Sequence, residues 1–158
     1  MNETQGEGIG PKSDAIYEFA KGLRARGVPI SGVGLQMHWW ARGSPANISG
    51  APSPADVAAN MKRLADLGLQ VYITEMDAPV REPATPEKLA AQAQTYRDML
   101  EVCLAASNCK ALIVWGIYDG NSAAQDPRFP SYAAPLLFDE AFRPKPAYEA
   151  LADVLRRR

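Results

Sequence analysis

The sequence predicts an α/β fold built from parallel βαβ units, and three observations carry that prediction. Short apolar, β-branched runs alternate with longer segments whose apolar residues recur at helical spacing. Proline and small polar residues open several of the helical segments, and glycines close two of them. The strand runs are nearly continuous in apolar residues, which predicts a sheet buried on both faces.

Taken in order, Ser13 is the expected cap of a first helix carrying Ile16, Phe19, Ala20 and Leu23 inward, with Gly27 ending it. The run Val33-Gly34-Leu35-Gln36-Met37-His38 reads as the first buried strand. A loop rich in Gly, Ser, Pro and Asn occupies about 41–52. Ser53-Pro54 then opens a second helix with Val57, Met61, Leu64 and Leu67 inside, stopped by Gly68. Residues 69–74, Leu-Gln-Val-Tyr-Ile-Thr, form the second strand. Thr85-Pro86 opens a third helix to about Ala106, burying Leu89, Tyr96, Met99 and Cys103. Residues 111–115 form the third strand, a loop rich in Gly, Asp, Asn, Ser and Pro follows, and a last helix covers about 146–156.

Composition excludes several classes of function. The 158 residues form one domain, and an apolar fraction of 47% argues against wholesale disorder. A net charge of −1, with scattered cations, makes nucleic acid and anionic membrane surfaces poor partners. Arg156-Arg157-Arg158 reads as a solvated helix end. No stretch approaches the ~20 apolar residues of a membrane span. The polar Met1-Asn2-Glu3-Thr4 start is unlike a signal peptide, so the expectation is a cytoplasmic chain or a piece of a longer precursor. Neither metal-ligand clusters nor phosphate-binding glycine loops occur, so no metal and no organic cofactor is expected. Cys103 and Cys109 suit a small disulfide loop in an exported protein, or equally two buried thiols.

In parallel α/β folds ligands gather at the C-terminal strand ends. Those ends hold Gln36 to Trp40, Glu75 to Asp77, and Trp115 to Ser122. Taken singly, Glu75 could cap a loop, His38 could be a core histidine, and Trp39, Trp40 and Trp115 could be core or loop cover. Together, a carboxylate, an imidazole, an amide and an indole suggest a carbohydrate site. Sugar hydroxyls need paired donors and acceptors, and sugar C–H faces pack on aromatic rings.

Three blocks resemble the strand 6, 7 and 8 motifs of glycoside hydrolase family 10 xylanases. They are Gly32-Val33-Gly34-Leu35-Gln36-Met37-His38, Val71-Tyr72-Ile73-Thr74-Glu75-Met76-Asp77 and Val114-Trp115-Gly116-Ile117-Tyr118-Asp119. Pro135-Leu136-Leu137-Phe138-Asp139-Glu140 and Arg143-Pro144-Lys145-Pro146-Ala147-Tyr148 resemble the family's closing segment. The blocks span nearly all of 1–158, so the resemblance implies part of one catalytic domain. That part is the C-terminal stretch of a (β/α)₈ barrel, about strands 6–8 with helices 5–8. It implies endo-hydrolysis of β-1,4-xylan with retention, Glu75 as nucleophile, His38 as its hydrogen-bonding partner and Asp77 as the residue orienting His38. Gln36 and Trp115 match sugar-binding positions, Trp115 as a subsite floor. Cys103 and Cys109 match a commonly bridged pair, which implies a secreted parent protein.

Two departures qualify that picture. The family's acid/base is a Glu in an Asn-Glu motif at strand 4, and it is expected to lie outside this chain. Asn2-Glu3 fits instead as the end of strand 5. Ser122 is followed by Ala123 where the family has Trp, which implies a more open site. A few strands alone leave both sheet edges unpaired. A second half-barrel chain or a homo-oligomer is therefore a candidate partner beside xylan or xylo-oligosaccharide. The competing expectation is a non-catalytic carbohydrate-binding or assembly half-barrel. Asn47-Ile48-Ser49 is a glycosylation sequon.

Overall fold

Why the helices stop where they do is visible at their C-termini. The computed structural model describes residues 1–38, 52–122 and 131–157. In α1 (Pro11–Ala25) and α2 (Pro54–Asp66) a glycine at positive φ follows the cap residue, Gly27 and Gly68, both at φ 73°. In α1, Gly27 N donates to Arg24 O and Val28 N to Leu23 O; in α2, Gly68 N donates to Ala65 O and Leu69 N to Leu64 O. Each pair of bonds closes a Schellman motif, which needs a residue that tolerates the left-handed region. Ser53 caps α2 as expected, its Oγ accepting from Asp56 N at 3.1 Å. Ser13 does not cap α1. Pro11 already takes the first helical position, so Ser13 lies inside the first turn and donates to Gly10 O at 2.9 Å.

The described residues form two compact units. The first comprises Met1–Met37, Pro52–Met76 and Val102–Ile113. Its sheet has the order β1 (Asn2–Glu3), β2 (Gly32–Leu35), β3 (Gln70–Met76), β5 (Cys109–Val114). β1 pairs parallel with β2, Asn2 opposite Gly34, and β2 pairs parallel with β3, Gly34 opposite Tyr72. One face is core: Val33, Leu35, Val71 and Ile73 are fully buried, as are Ala20, Val57, Met61 and Leu64 of the helices. The other face is not buried, contrary to expectation, since Gln70, Tyr72, Lys110 and Ile113 are exposed. The run 69–74 in fact alternates polar with apolar residues, which is the pattern of a one-sided sheet. Phe19 is likewise 54% exposed. It stands at the margin of the stripe that Ile16 and Ala20 define.

Cys103 and Cys109 are joined by a disulfide with Cα atoms 5.2 Å apart. It ties the end of α3 (Pro86–Ala105) to the start of β5. Closing so short a loop restricts the unfolded chain by about 2 kcal/mol. Replacing both cysteines with serine should lower the urea-unfolding free energy by about that amount, and reduction of wild type should give the same loss.

The second unit comprises the described residues of His38–Ala51, Asp77–Glu101 and Val114–Arg158. β4 (Val80–Arg81) and β6 (Tyr132–Ala133) form a two-stranded antiparallel ribbon. Tyr96 and Met99 of α3, Leu136, and Ala147, Ala150 and Val154 of α4 (Pro146–Arg156) are buried here. A 3₁₀ turn at Asp119–Asn121 follows the Trp115 segment. Trp39, Trp40, the sequon at Asn47 and Ala123 lie outside the described residues.

Candidate active site

In the first unit Glu75 is the penultimate residue of β3 and is half-buried. Its Oε1 accepts a 2.7 Å hydrogen bond from Asn2 Nδ2. The same amide's oxygen accepts from Thr74 Oγ1 at 2.8 Å. Asn2 belongs to β1 and Glu75 to β3, so the side chain reaches over the intervening β2. It can do so because residue 34 is glycine: a Cβ there would stand 2.4 Å from Asn2 Oδ1 and 3.1 Å from Thr74 Cγ2. Gly34→Ala should therefore displace the Asn2 amide and cost about 1–3 kcal/mol through overpacking, read from the shift of the urea midpoint. Asn2 also lines a cleft of about 450 Å³ on the open side of the sheet, with Tyr72 and Thr74.

Gln36 follows β2, half-buried, with its N–H bound to Glu3 O at 2.9 Å. The next residue, Met37, has φ 68°, a left-handed conformation costly for a side chain. Glu7 holds it. The carboxylate is 1% exposed, and its Oε1 accepts from Met37 N at 3.1 Å and from Gln5 N at 3.0 Å. Gln5 is also left-handed, at φ 59°. Glu7 thus fixes the exits of β1 and β2 together, a role the sequence reading missed. The available signal was a Glu between two glycines: a Cβ on Gly6 or Gly8 would meet Ile16 or Pro52 at 2.3–2.4 Å. Glu3 points elsewhere, pairing with Lys12 Nζ at 2.9 Å on the surface.

In the second unit the structure brings His38, Asp77 and Trp115 together. His38 Nδ1 lies 2.9 Å from Asp77 Oδ1, and Asp77 is 1% exposed. A carboxylate only accepts, so the shared proton resides on Nδ1 and fixes the ring's orientation. The Trp115 ring meets the His38 ring edge-on, centroids 5.2 Å apart and planes at 82°. Trp115 itself is 47% exposed, leaving indole surface open to solvent. In the same unit Asp119 and Lys145 form a buried ion pair, Nζ to Oδ2 at 2.9 Å, with side chains 8% and 7% exposed. Burial pushes the Asp119 carboxyl up and the Lys145 ammonium down, and their mutual bond opposes both shifts. The Tyr96 phenol is raised by burial and then by the charges of Asp77 and Asp119, which keeps it a donor to Pro135 O at 2.8 Å. Among the described residues no group of three or more His, Cys, Asp or Glu could hold a metal ion, and no helix is long and apolar enough to cross a membrane.

In the first unit a carboxylate stands near the end of a parallel strand, and in the second a carboxylate-held imidazole stands beside an open indole. The model of glycosyl hydrolase family 10 matches residues 1–154. The chain is 37% identical over 156 residues to endo-1,4-beta-xylanase B of Thermotoga neapolitana, covering 98% of this chain and 42% of that one. Its fold matches native xylanase 10B from Thermotoga maritima with a TM-score of 0.88 at 35% identity, over 99% of this chain and 46% of the other. It matches xylanase 10B from Thermotoga petrophila, solved in complex with xylobiose, with a TM-score of 0.88 at 34% identity, over 99% and 45%. The chain belongs to glycosyl hydrolase family 10, and its fold is part of that family's (β/α)₈ barrel. It spans under half the length of these relatives.

Proposed function

We propose that this chain carries the nucleophile half of a retaining endo-1,4-β-xylanase site, with Glu75 as the nucleophile. The observation that supports this reading best is the Asn2–Glu75 bond at the end of β3. One carboxylate oxygen is tied down by a neutral donor, which orients the group without supplying a counter-charge. In the proposed reaction the other oxygen attacks the anomeric carbon, the bond from that carbon to the leaving oxygen breaks, and the electron pair departs with the leaving group. Water then attacks the glycosyl-enzyme, loses a proton to a base and regenerates Glu75 with net retention. Retaining hydrolysis needs a second carboxyl roughly 5–5.5 Å away to protonate the leaving oxygen. We assign that acid to no residue of this chain.

In the same reading His38 is a positioning residue for Glu75, held in its tautomer by Asp77. Gln36 and Trp115 bind sugar, the indole as a stacking floor. The substrate class is xylan or xylo-oligosaccharide, which fits the xylobiose bound by the Thermotoga petrophila relative. The Cys103–Cys109 bridge fits an exported protein. A second half-barrel chain or a second copy of this chain is the proposed protein partner.

An aryl β-xyloside tests the reaction, because a phenolate needs little protonation to leave. Release of phenol by the wild-type chain supports it. Binding of xylobiose without phenol release would instead make the chain a carbohydrate-binding module, and a chain that does neither would leave the reading without support. Trp115→Ala should weaken xylobiose binding roughly fivefold, the worth of about 1 kcal/mol of aromatic packing, measured by calorimetry.

A further inference from the structure

Buried polar side chains in the second unit converge on one three-residue strap, 134–136. Lys145 Nζ donates to Ala134 O at 2.8 Å and to Leu136 O at 2.6 Å. Leu136 N in turn donates to Asp119 Oδ1 at 2.8 Å. Gln92 Nε2 donates to Ala134 O and to Ala78 O, and Tyr96 OH donates to Pro135 O. Ala78 N donates to the same Pro135 O at 3.1 Å. Ala134 is held at φ 51°, a conformation an alanine adopts only when its surroundings impose it.

The strap therefore touches two of the segments that present site residues of this unit, those of Asp77 and Trp115. On one side it grips Ala78, the neighbour of Asp77, which holds His38. On the other it grips Asp119, and Leu136 packs on Gly116 so closely that a Cβ there would lie 2.9 Å from Leu136 Cδ1. Gly116 adjoins Trp115, whose ring closes the circuit against His38. Every link runs through a named bond or contact. The buried ammonium is the member that holds two strap carbonyls and Asp119 at once.

We propose that Lys145 is a positioning residue for the sugar site, setting the His38–Asp77 bond and the Trp115 ring through the 134–136 strap. The sugar-site half of this statement rests on the function proposed above; the positioning half does not. The bonds of the Lys145 ammonium run to the strap carbonyls and to Asp119. Its influence on His38 and Trp115 therefore passes through backbone that an apolar side chain of similar length would leave unclamped.

The chain contains a single histidine, so its imidazole resonances are unambiguous. In wild type the Nδ1 proton should appear as a hydrogen-bonded, slowly exchanging signal. Lys145→Met should shift or broaden it and weaken xylobiose binding roughly tenfold, as small misplacements of a site do. Val154→Ala, a cavity in α4 away from the strap, should lower stability while leaving the histidine signal in place. If Lys145→Met does not fold, Lys145→Gln decides, because its shorter neutral amide keeps a donor but cannot hold both strap carbonyls and Asp119 as the ammonium does. An unchanged histidine signal in whichever of the two folds overturns the proposal. A shifted signal in a chain that binds no xylobiose, wild type included, would uphold the clamp and sink the sugar-site reading instead.

Discussion

Glu75→Gln is expected to abolish phenol release from an aryl β-xyloside, by at least about 10⁴-fold, while leaving the unfolding midpoint nearly unchanged. The size of the loss follows from removing the group that forms the covalent bond, since no other route shares that intermediate. The retained stability follows from geometry. Glutamine keeps an oxygen that can accept from Asn2 Nδ2, now bound at 2.7 Å, so the link between β1 and β3 survives. Glu75→Ala should lose the same activity and, in addition, about 1 kcal/mol of stability, because the Asn2 amide is left without that acceptor. A full loss of activity in both variants with different stabilities separates chemistry from scaffolding.

Asp119→Ala is expected to cost about 3–5 kcal/mol, the largest stability loss foreseen for a single substitution in this chain. Lys145 would remain buried with only carbonyls for partners, and Leu136 N–H would lose its acceptor. Asp119→Asn should cost less, because an amide oxygen can still accept from Leu136. The pH dependence has a definite sign. Asp119's folded-state pKa is raised above 3.8, chiefly by burial. As pH climbs from 3.8 through that raised value, the unfolded chain has released a proton that the folded chain still holds. Stability from this group therefore falls across the window, and Asp119→Asn should lack that slope. Lys145 is lowered below 10.5, again chiefly by burial, so in the alkaline window beneath 10.5 its contribution rises with pH. Urea unfolding across both windows reads the two slopes separately.

The helices were legible because their signals are local. Gly27, Gly68 and Ser53 act within one turn, and each does what its position in the chain predicts. Ser13 misled because Pro11, two residues earlier, is the stronger start signal. The two-residue strands β1, β4 and β6 are too short to show any period. The one-sided burial of the sheet is hidden by composition, because Gln70 and Tyr72 are the exposed alternates of a run that is otherwise largely apolar. The disulfide stayed open on spacing and was narrowed only by family likeness.

The candidate site divides along the same line. Glu75, His38, Asp77 and Trp115 stand at or just beyond strand ends, where general rules and family likeness both direct attention. Asn2 and Glu7 act on residues 73 and 30 positions away, so their roles depend on which strands lie side by side. Lys145, in a proline-rich tail, reads as an ordinary surface cation until Asp119 and the carbonyls of the strap are in view.

The most direct test of the central claim is to trap the glycosyl-enzyme. A 2-fluoro aryl β-xyloside should form the covalent intermediate and hydrolyse it slowly enough for peptide mapping by mass spectrometry. The account predicts one added sugar on the peptide containing Glu75 in wild type and none in Glu75→Gln. A label on another carboxylate, or none at all from a chain that binds xylobiose, would contradict it.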